Sequence, residues 1–380
     1  MTSRLQSVLA HLQPDSLTGN NMNKEEPEKP LPSFDELPKY RNFVGCAWDV
    51  WGPNDQLGTI NLLTEGVVKR GAQEEVRTGK TVALNWPINF PAKPFFNRKA
   101  PEHRTWMKAF TVRDDELHIN TQSGTQWDGM KHFPLIEHEM CYGGVPARSL
   151  PDGQISFNGP GTVDPELIKL GIHNWAQHGI CGRGVLLDLV GFQSSQVSSS
   201  TTSPFSPPSA LANLPYDPWT SHPIQVSELL ACAQSQGVTF RRGDILLIRM
   251  GFIRRFEEAS VEERERLSEI EVHGGIGAGK GEQFAGIEQS EEMKRFLWDN
   301  HFAAVASDQP TLERWPTPEG VPHMHQTLLG LWGMPIGEFF DLEALSDICA
   351  STKRYTFFFS SWPLNVLGGV GSPPNAAAYF

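Results

Sequence analysis

Residues 164–191 read DPELIKLGIHNWAQHGICGRGVLLDLVG and contain two kinds of hydrophobic pattern. The first half has apolar residues at helical spacing between an Asp-Pro start and a terminal glycine: Leu167, Ile168, Ile172, Trp175 and Gly179. This pattern predicts a helix over 164–179. The apolar run GVLLDLVG at 184–191 predicts a buried strand.

The same order occurs twice more along the chain. Residues 226–237 (VSELLACAQSQG) have helical periodicity and precede the apolar run 243–252 (GDILLIRMGF). Residues 290–300 (SEEMKRFLWDN) likewise precede 302–308 (FAAVASD). Repeated helix-then-strand units are typical of a buried sheet covered by helices, so the sequence predicts the α/β fold class.

The composition excludes several classes of protein. The 380 residues carry a net charge of -12, with 39% hydrophobic and 20% charged residues, which is typical of a soluble globular protein. Nucleic-acid binding is not expected, because such proteins concentrate Lys and Arg to neutralise phosphates. No apolar run approaches the ~20 residues that cross a bilayer, and the N-terminal residues lack the features of a signal peptide. We therefore expect no membrane partner and a cytoplasmic location.

Three segments differ in composition from the rest. Residues 1–40 are rich in Pro, Glu, Lys and Asn and predict a flexible N-terminal arm, which leaves a single domain over 41–380. A Ser/Pro-rich insert at 192–222 is typical of a mobile loop or lid. A second insert at 255–283 has a charged, helix-like half and a glycine-rich half. Its glycines lack the GK[ST] ending of a phosphate loop, so no nucleotide cofactor is expected.

The five cysteines are scattered along the chain without a CxxC pair: Cys46, Cys141, Cys181, Cys232 and Cys349. An odd number at these spacings predicts reduced thiols with a packing role. A structural zinc site is not expected.

Residues 121–133 read TQSGTQWDGMKHF and hold the candidate functional residues. If this stretch is extended, Gln122, Gly124, Gln126 and Asp128 share one face, because side chains alternate along a strand. The polar groups could then hold a cation, with Gly124 leaving room for it, and His132 could reach the same pocket beyond a turn. Ordinary loop chemistry is the alternative, since Gln, Thr, Ser and Asp near glycines often satisfy backbone groups.

The stretch also resembles the H-x-G-T-H-x-D-x-P-x-H signature of the cyclase family, which includes bacterial-type kynurenine formamidases and isatin hydrolase. Other blocks resemble the family in the same order, and the likeness covers residues 47–380. They begin with WDVWGPNDQLGTINLLT near the N-terminus and continue through GVLLDL, GDILLIRMGF, GIEQSEEMKRFLWDNHFAAVASD, HMHQTLLGLWGMPIGEFFDLEAL and LGGVGSPPNAAAY. Several ordered blocks are more specific than a single motif. The resemblance implies the family's swivelling β/β/α-type single domain with a mixed sheet.

The resemblance also implies a set of site residues. The family's first two metal-binding histidines fall on Gln122 and Gln126, and its metal-binding aspartate falls on Asp128, which could also act as a base. The catalytic histidine falls on His132, with Met130 in place of the motif's proline. The histidine and glutamate that hold a second cation fall on His325 and Glu338, although His323 lies two residues away and is an alternative to His325. Asp341 is predicted to cap the helix that follows.

Two glutamines in place of histidines leave the mechanism open. In the family's hydrolases a Zn or Mn ion activates water for opening an amide or lactam. Amide oxygens are weaker ligands than imidazoles for such ions, so we expect weakened binding of Mn or Zn. One hypothesis is a kynurenine formamidase-like hydrolase of C–N bonds in aryl or cyclic amides, or of a related carbonyl substrate. A metal-free cyclase, dehydratase or isomerase is the alternative, and a non-catalytic ligand-binding relative is the second alternative.

The glutamine-bearing signature resembles the form found in fungal members of the family. Four large apolar residues would suit a small-molecule substrate that is aromatic or polycyclic: Trp127, Met130, Phe133 and Trp332. The first three are the predicted substrate-binding wall. The family resemblance further implies a homo-oligomer, either a dimer or a tetramer.

Overall fold

The computed structural model describes residues 30–196, 214–267 and 282–380. Its strands are β1 Thr81–Ala83, β2 Glu102–Ala109, β3 Val112–His118, β4 Gln126–Asp128, β5 Met140–Cys141, β6 Val145–Pro146, β7 Ile180–Asp188, β8 Pro223–Ile224, β9 Ile245–Arg249, β10 Gly286–Ile287, β11 Ala304–Ser307, β12 Ile336–Glu338, β13 Thr356–Ser361, β14 Gly371–Ser372 and β15 Ala376–Tyr379. The α-helices are α1 Glu65–Glu75, α2 Pro165–Ile168, α3 His173–His178, α4 Leu189–Gln196, α5 Val226–Ser235, α6 Phe252–Glu258, α7 Val261–Leu267, α8 Glu291–Asp299 and α9 Glu343–Thr352. A π-helical turn covers Gln326–Leu331.

Nine of the fifteen described strands form one large sheet with the order β1-β15-β13-β7-β9-β11-β12-β4-β14, and the other six pair as β8 with β10, β2 with β3 and β5 with β6. Its centre, from β7 to β12, is parallel, and the flanking pairs are antiparallel. Every residue of β9 and β11 is buried, which explains why these strands are continuous apolar runs instead of alternating ones. The α/β prediction with a buried mixed sheet is confirmed.

Helices cover the central strands and create the main core. Leu246 and Ile248 of β9 belong to the same apolar cluster as Leu229 of α5 and Met293 of α8. The helix α8 has the sequence signals for this role, since Ser290 caps its first turn by accepting from the Met293 amide. Burial of such side chains contributes about 1.5–3 kcal/mol each.

A buried ion cluster lies beside the core. Arg183 of β7 donates to Asp244 at 2.7 Å and to Glu75 of α1 at 3.2 Å, and all three side chains are buried. Burial raises the pKa of Asp244 to about 6 against the opposing charge of Arg183. Arg354 also contacts Glu75 at 2.6 Å, so two guanidiniums balance the two carboxylates of the cluster.

The helix predicted over 164–179 is interrupted. Asp164 does cap the first helix, accepting from the Glu166 amide, but that helix ends at Ile168 and the next begins at His173. Between them Leu170 has a φ of +54°, and the Ile172 amide donates to the carbonyl of Gly369. A tertiary hydrogen bond thus replaces the helical one.

The segments of unusual composition are only partly described. The end of the predicted arm is part of the packed unit that begins at Pro32: Phe34 is buried, and its amide donates to Asp299. Residues 1–29 lie outside the described residues, as do 197–213 of the first insert and 268–281 of the second. The charged half of the second insert forms α6 and α7.

None of the helices among the described residues is long and apolar enough to span a membrane. All five cysteines are free thiols, as predicted, and four of them are buried.

Candidate active site

The strand β4 positions the first polar groups of the site. It lies between β12 and β14, with Gln126 opposite Glu338 and Asp128 opposite Gly371. Residues directly opposite in an antiparallel pair share a face of the sheet. Accordingly, Nε2 of Gln126 donates to Oε2 of Glu338 at 2.7 Å.

The two oxygens of Asp128 have different surroundings. Oδ1 accepts from the side-chain amides of Gln122 and Gln126, the latter at 3.1 Å. Oδ2 lies 3.7 Å from Nε2 of His325 and 3.9 Å from Nε2 of His132. Within the part of the chain that the structure describes, this buried oxygen has no hydrogen-bond partner.

His325 is held between carboxylates. Its Nδ1 lies 2.6 Å from Oε1 of Glu313, and its Nε2 lies 3.2 Å from Oε1 of Glu338. Glu313 also accepts from the amides of Met324 and His325 at 2.8 and 2.9 Å. An ionised carboxylate only accepts hydrogen bonds, so Nδ1 of His325 carries a proton. Its Nε2 can then carry a second proton, give its lone pair to a cation, or accept a hydrogen bond from Glu338 when that carboxyl is protonated.

The charged groups of the cluster shift one another's pKa values. Burial opposes ionisation of Glu313, but hydrogen bonding and charge from His325 lower its pKa to about 2. Burial also opposes ionisation of Asp128, and the charges of His132 and His325 hold its pKa well below the usual range. Burial and the charge of Asp128 raise the pKa of Glu338 to about 7.

The pKa values of the two histidines shift in opposite directions. Burial lowers the pKa of His132 to about 4, despite the favourable charge of Asp128. Burial also acts against His325, but its contacts with Asp128, Glu313 and Glu338 raise its pKa well above the usual value. The site therefore attracts positive charge at His325.

These residues fit a divalent cation. One ligand atom each from Asp128, His132 and His325 lies within 4.8 Å of the others. Ligands of a tetrahedral ion at bond lengths near 2.1 Å are roughly 3.4 Å apart, so only a small adjustment is needed. The unpartnered Oδ2 of Asp128 supplies the charge, and Glu313 orients His325 as outer carboxylates do in metal sites.

Aromatic side chains and one arginine surround the cluster. The ring of Phe133 lies 5.2 Å from that of His325 and 5.3 Å from that of His323, which in turn stacks on Trp315. Arg98 donates to the carbonyl of Gln122 at 2.5 Å. Its charge opposes protonation of His132 and favours ionised Asp128.

Comparison with known proteins agrees with this architecture. Residues 78–314 match the family model Cyclase, described as "Putative cyclase". The chain belongs to the cyclase family. A search of curated proteins finds no match.

The chain is similar to several solved structures, of which the following cyclase shares its fold. A crystal structure of a novel cyclase is 28% identical, covers 88% of this chain and 99% of its own, and has a TM-score of 0.67. Isatin hydrolase A from Ralstonia solanacearum is 14% identical over 79% of this chain and 91% of its own, with a TM-score of 0.47. A predicted metal-dependent hydrolase from Bacillus stearothermophilus is 16% identical over 80% of this chain and 98% of its own, with a TM-score of 0.41.

The structure brings the polar residues predicted from the cyclase signature into one cluster: Gln122, Gln126, Asp128, His132, His325 and Glu338. The histidine at the site is His325. His323 instead lies beside Thr317, with its Nδ1 2.7 Å from the hydroxyl. The amide nitrogens of Gln122 and Gln126 donate to carboxylates, and among the described residues the buried Oε1 of Gln126 has no hydrogen-bond partner.

The extended strand predicted for this stretch is shorter than expected. Only residues 126–128 are in β4, and Gln122 lies in a turn from which its side chain still reaches Asp128. Gly124 does not leave room for a cation, because a Cβ there would lie 2.5 Å from the carbonyl oxygen of Phe90. Its missing side chain serves close backbone packing.

The structure also corrects the predicted substrate wall. Trp127 alternates to the other side of β4, where it packs on Phe340 and donates to Ser361 at 2.8 Å. The side chain of Met130 is buried and points toward Gly333, and Trp332 donates to the carbonyl of Gly45 within the main core. Of the predicted aromatic residues, Phe133 lies at the cluster.

Sequence reasoning missed Glu313, Arg98 and Trp315. Glu313 follows the buried strand β11 by six residues, in the segment SDQPTLER. Polar residues just after the carboxyl end of a parallel strand are common in α/β sites, and this signal could have identified it. Arg98 lies in an irregular segment and gave no such signal.

Proposed function

We propose that this chain is a cation-assisted hydrolase that opens the C–N bond of an aryl or cyclic amide, or acts on a related carbonyl substrate. The observation that carries the proposal is the unpartnered Oδ2 of Asp128, which shares its space with Nε2 of His132 and of His325. A buried carboxylate oxygen without a donor is costly unless a cation completes it.

Asp128 and His325 would hold the cation with Glu338 as a further oxygen ligand, and His132, which borders the same space, would remain unligated and free to move protons. The chemistry that such an ion supplies when bound is Lewis-acid activation of a carbonyl group and of water. Glu313 keeps the imidazole of His325 in one orientation through the Nδ1 contact. Oε1 of Glu338 borders the same space and accepts from the Leu312 amide at 3.3 Å, which limits its movement.

His132 would transfer protons between substrate and solvent. Its side chain is 22% exposed, whereas those of Asp128 and His325 are 0% and 7% exposed. A group that exchanges protons with a substrate has to be reachable from the pocket, and His132 meets this condition. Such a residue typically contributes 10²–10⁴-fold to the rate.

The rim of the site suits an aromatic substrate whose reaction develops negative charge. Phe133 and the stacked pair His323 and Trp315 offer ring faces and edges. The guanidinium of Arg98, whose charge already acts on Asp128, would stabilise an oxyanion or a carboxylate product.

The test combines metal analysis with turnover. Protein purified without chelator should carry Mn or Zn, or acquire it on addition, and should hydrolyse members of a panel of aryl formamides and cyclic aryl amides. His325→Ala should remove both the metal and turnover, whereas His132→Ala should keep the metal and lower turnover by about 10²-fold or more. The exposed His178 provides a control, since His178→Ala should change neither. If His132→Ala lost the metal while His325→Ala kept it, the roles assigned to the two histidines would be reversed.

A metal-free cyclase, dehydratase or isomerase is the second candidate, and one observation favours it. Nε2 of Gln126 donates to both Asp128 and Glu338, so a neutral amide separates the two carboxylates without help from an ion. Asp128, His132 and Glu338 could then act as acid and base. Turnover that persists at less than 0.1 metal equivalents, in the presence of chelator, would select this candidate.

A further inference from the structure

A second cavity lies beside the start of β4. Its volume is about 340 Å³, which falls within the roughly 300–1,000 Å³ that is usual for small-molecule sites. Its wall is formed by residues 85–88, 119–121, 123–125 and 373–375. Gln122 interrupts this wall, but neither Gln122 nor any other member of the polar cluster lines the cavity. The cavity is therefore distinct from the candidate active site.

Hydrogen bonds between distant segments hold the wall in place. The side chain of Asn85 donates to the carbonyl of Ala376 and accepts from its amide, each at 2.9 Å. The hydroxyl of Thr125 accepts from the Trp86 amide at 2.8 Å and donates to the carbonyl of Phe339 at 2.7 Å. Because the fold itself fixes the wall, a molecule that enters has little of the chain left to order.

The lining indicates a neutral ligand. Across the described chain, no residue of the wall is charged, although 20% of the whole sequence is. A charged molecule would lose hydration in this cavity without gaining an ion pair. Much of the wall is apolar and suits a ring or another compact apolar body: Trp86, Pro87, Ile88, Ile119, Pro373 and Pro374.

Polar side chains of the wall offer hydrogen bonds to such a molecule. Oδ1 of Asn120 accepts from the Gln122 amide at 2.9 Å, so the Nδ2 of Asn120 carries the N–H groups that remain. Among the residues that the structure describes, this Nδ2, the hydroxyl of Thr121 and the side-chain amide of Asn375 have no protein partner. An amide N–H only donates, so the ligand has to supply an acceptor such as a carbonyl oxygen.

We propose that this cavity binds a neutral small molecule with a compact apolar body and a carbonyl oxygen, such as an amide or a lactam. Nδ2 of Asn120 donates to that oxygen, and the proline and isoleucine side chains contact the apolar body. The proposal goes beyond the function proposed above and does not depend on it, because no residue of the polar cluster takes part.

Binding of acetanilide and of carbostyril to the full chain tests this proposal. Titration calorimetry is carried out in the presence of chelator, so that no divalent cation occupies the candidate active site. At least one of the two compounds should bind. The matched anion para-acetamidobenzoate should bind at least about tenfold more weakly, because its carboxylate finds no ion pair in the cavity.

Two variants of the wall and one control locate the bound molecule. Asn120→Asp keeps an acceptor for the Gln122 amide but removes the donor to the ligand, so affinity should fall at least about tenfold. Ile119→Trp should fill the cavity and abolish binding, with circular dichroism and melting temperature confirming the fold. Asn158→Asp makes the same change of charge at an exposed residue outside the wall, and it should bind as the parent does.

His325→Ala distinguishes this cavity from the candidate active site. It removes a member of the polar cluster and should leave the affinity for the neutral compounds unchanged. If binding were lost in His325→Ala but kept in Asn120→Asp, the compounds would occupy the candidate active site and the proposal would be wrong. Failure of both compounds to bind the parent, equal binding of para-acetamidobenzoate, or full affinity in both wall variants would also overturn it.

Discussion

Nδ1 of His325 lies 2.6 Å from Oε1 of Glu313, a carboxylate that is itself held by two backbone amides. Since those amides, from Met324 and His325, fix the carboxylate, the imidazole has one tautomer and one orientation available. Its Nε2 is thereby directed at the space bordered by Asp128 and Glu338.

Replacing this outer carboxylate should weaken the site without removing any group from the cation space. In Glu313→Gln we expect a 10–100-fold loss of Mn or Zn affinity, because the amide no longer fixes the proton on Nδ1 of His325. Metal titration followed by calorimetry measures this affinity. Glu319→Gln, an exposed change in the same segment, should leave the affinity unaltered. Equal affinities for parent and Glu313→Gln would exclude the orienting role.

Restoring imidazoles should strengthen metal binding. The double change Gln122→His and Gln126→His places two nitrogen ligands beside Asp128, where both glutamine side chains now donate to Oδ1. We expect Zn affinity to rise at least about tenfold, since imidazole suits this ion better than an amide does. Competition with a chromogenic chelator provides the measurement, and Gln177→His, at an exposed glutamine, is the control. An unchanged affinity would mean that the two side chains cannot reach a common ion.

Substitutions of Trp127 and Phe133 should distinguish a residue that packs in the core from one that contacts the substrate. Trp127→Phe removes the hydrogen bond to Ser361 and part of a buried contact with Phe340, so unfolding should become easier by about 1–3 kcal/mol with an unaltered KM. Phe133→Leu should raise KM for aromatic substrates with little effect on stability. Denaturant titration and steady-state kinetics on both variants check the pair. If KM rose in Trp127→Phe but not in Phe133→Leu, Trp127 and not Phe133 would be the residue that contacts the substrate.

The buried arginine of β7 should be needed for stability. In Arg183→Met the carboxylate of Asp244 loses its guanidinium partner at 2.7 Å, and Glu75 loses one of its donors. Breaking a buried ion pair by removing one partner costs about 3–5 kcal/mol. Urea denaturation should show this loss, whereas Arg148→Met, in the exposed pair with Glu139, should not shift the midpoint measurably. If both variants had similar urea midpoints, the carboxylates of Asp244 and Glu75 would have to rearrange or become hydrated once Arg183 is removed.

Local sequence patterns predicted the parts of the fold that depend on burial alone. The runs around Ile245 and Ala304 are apolar because both faces of those strands are covered, and no partner needs to be known to see this. The helix over 164–179 could not be predicted in full. Its interruption depends on Gly369, which accepts the Ile172 amide from about 200 residues further along the chain.

The candidate site was likewise predictable from local sequence only in part. The signature stretch by itself placed Gln126 and Asp128 on one face and Trp127 between them, because side chains alternate along any strand. The resemblance added His325 and Glu338. Neither source could show that Glu313 would hold His325, or that the amides of the two glutamines would turn their nitrogens to Asp128.

The sequence by itself therefore determined the class of fold and most members of the polar cluster, since both depend on residue type and short spacing. The tertiary structure decided which oxygen of Asp128 is left without a donor and which histidines face it. These contacts depend on the register of β4 against β12 and on the return of the chain at His325, both set by packing between distant segments.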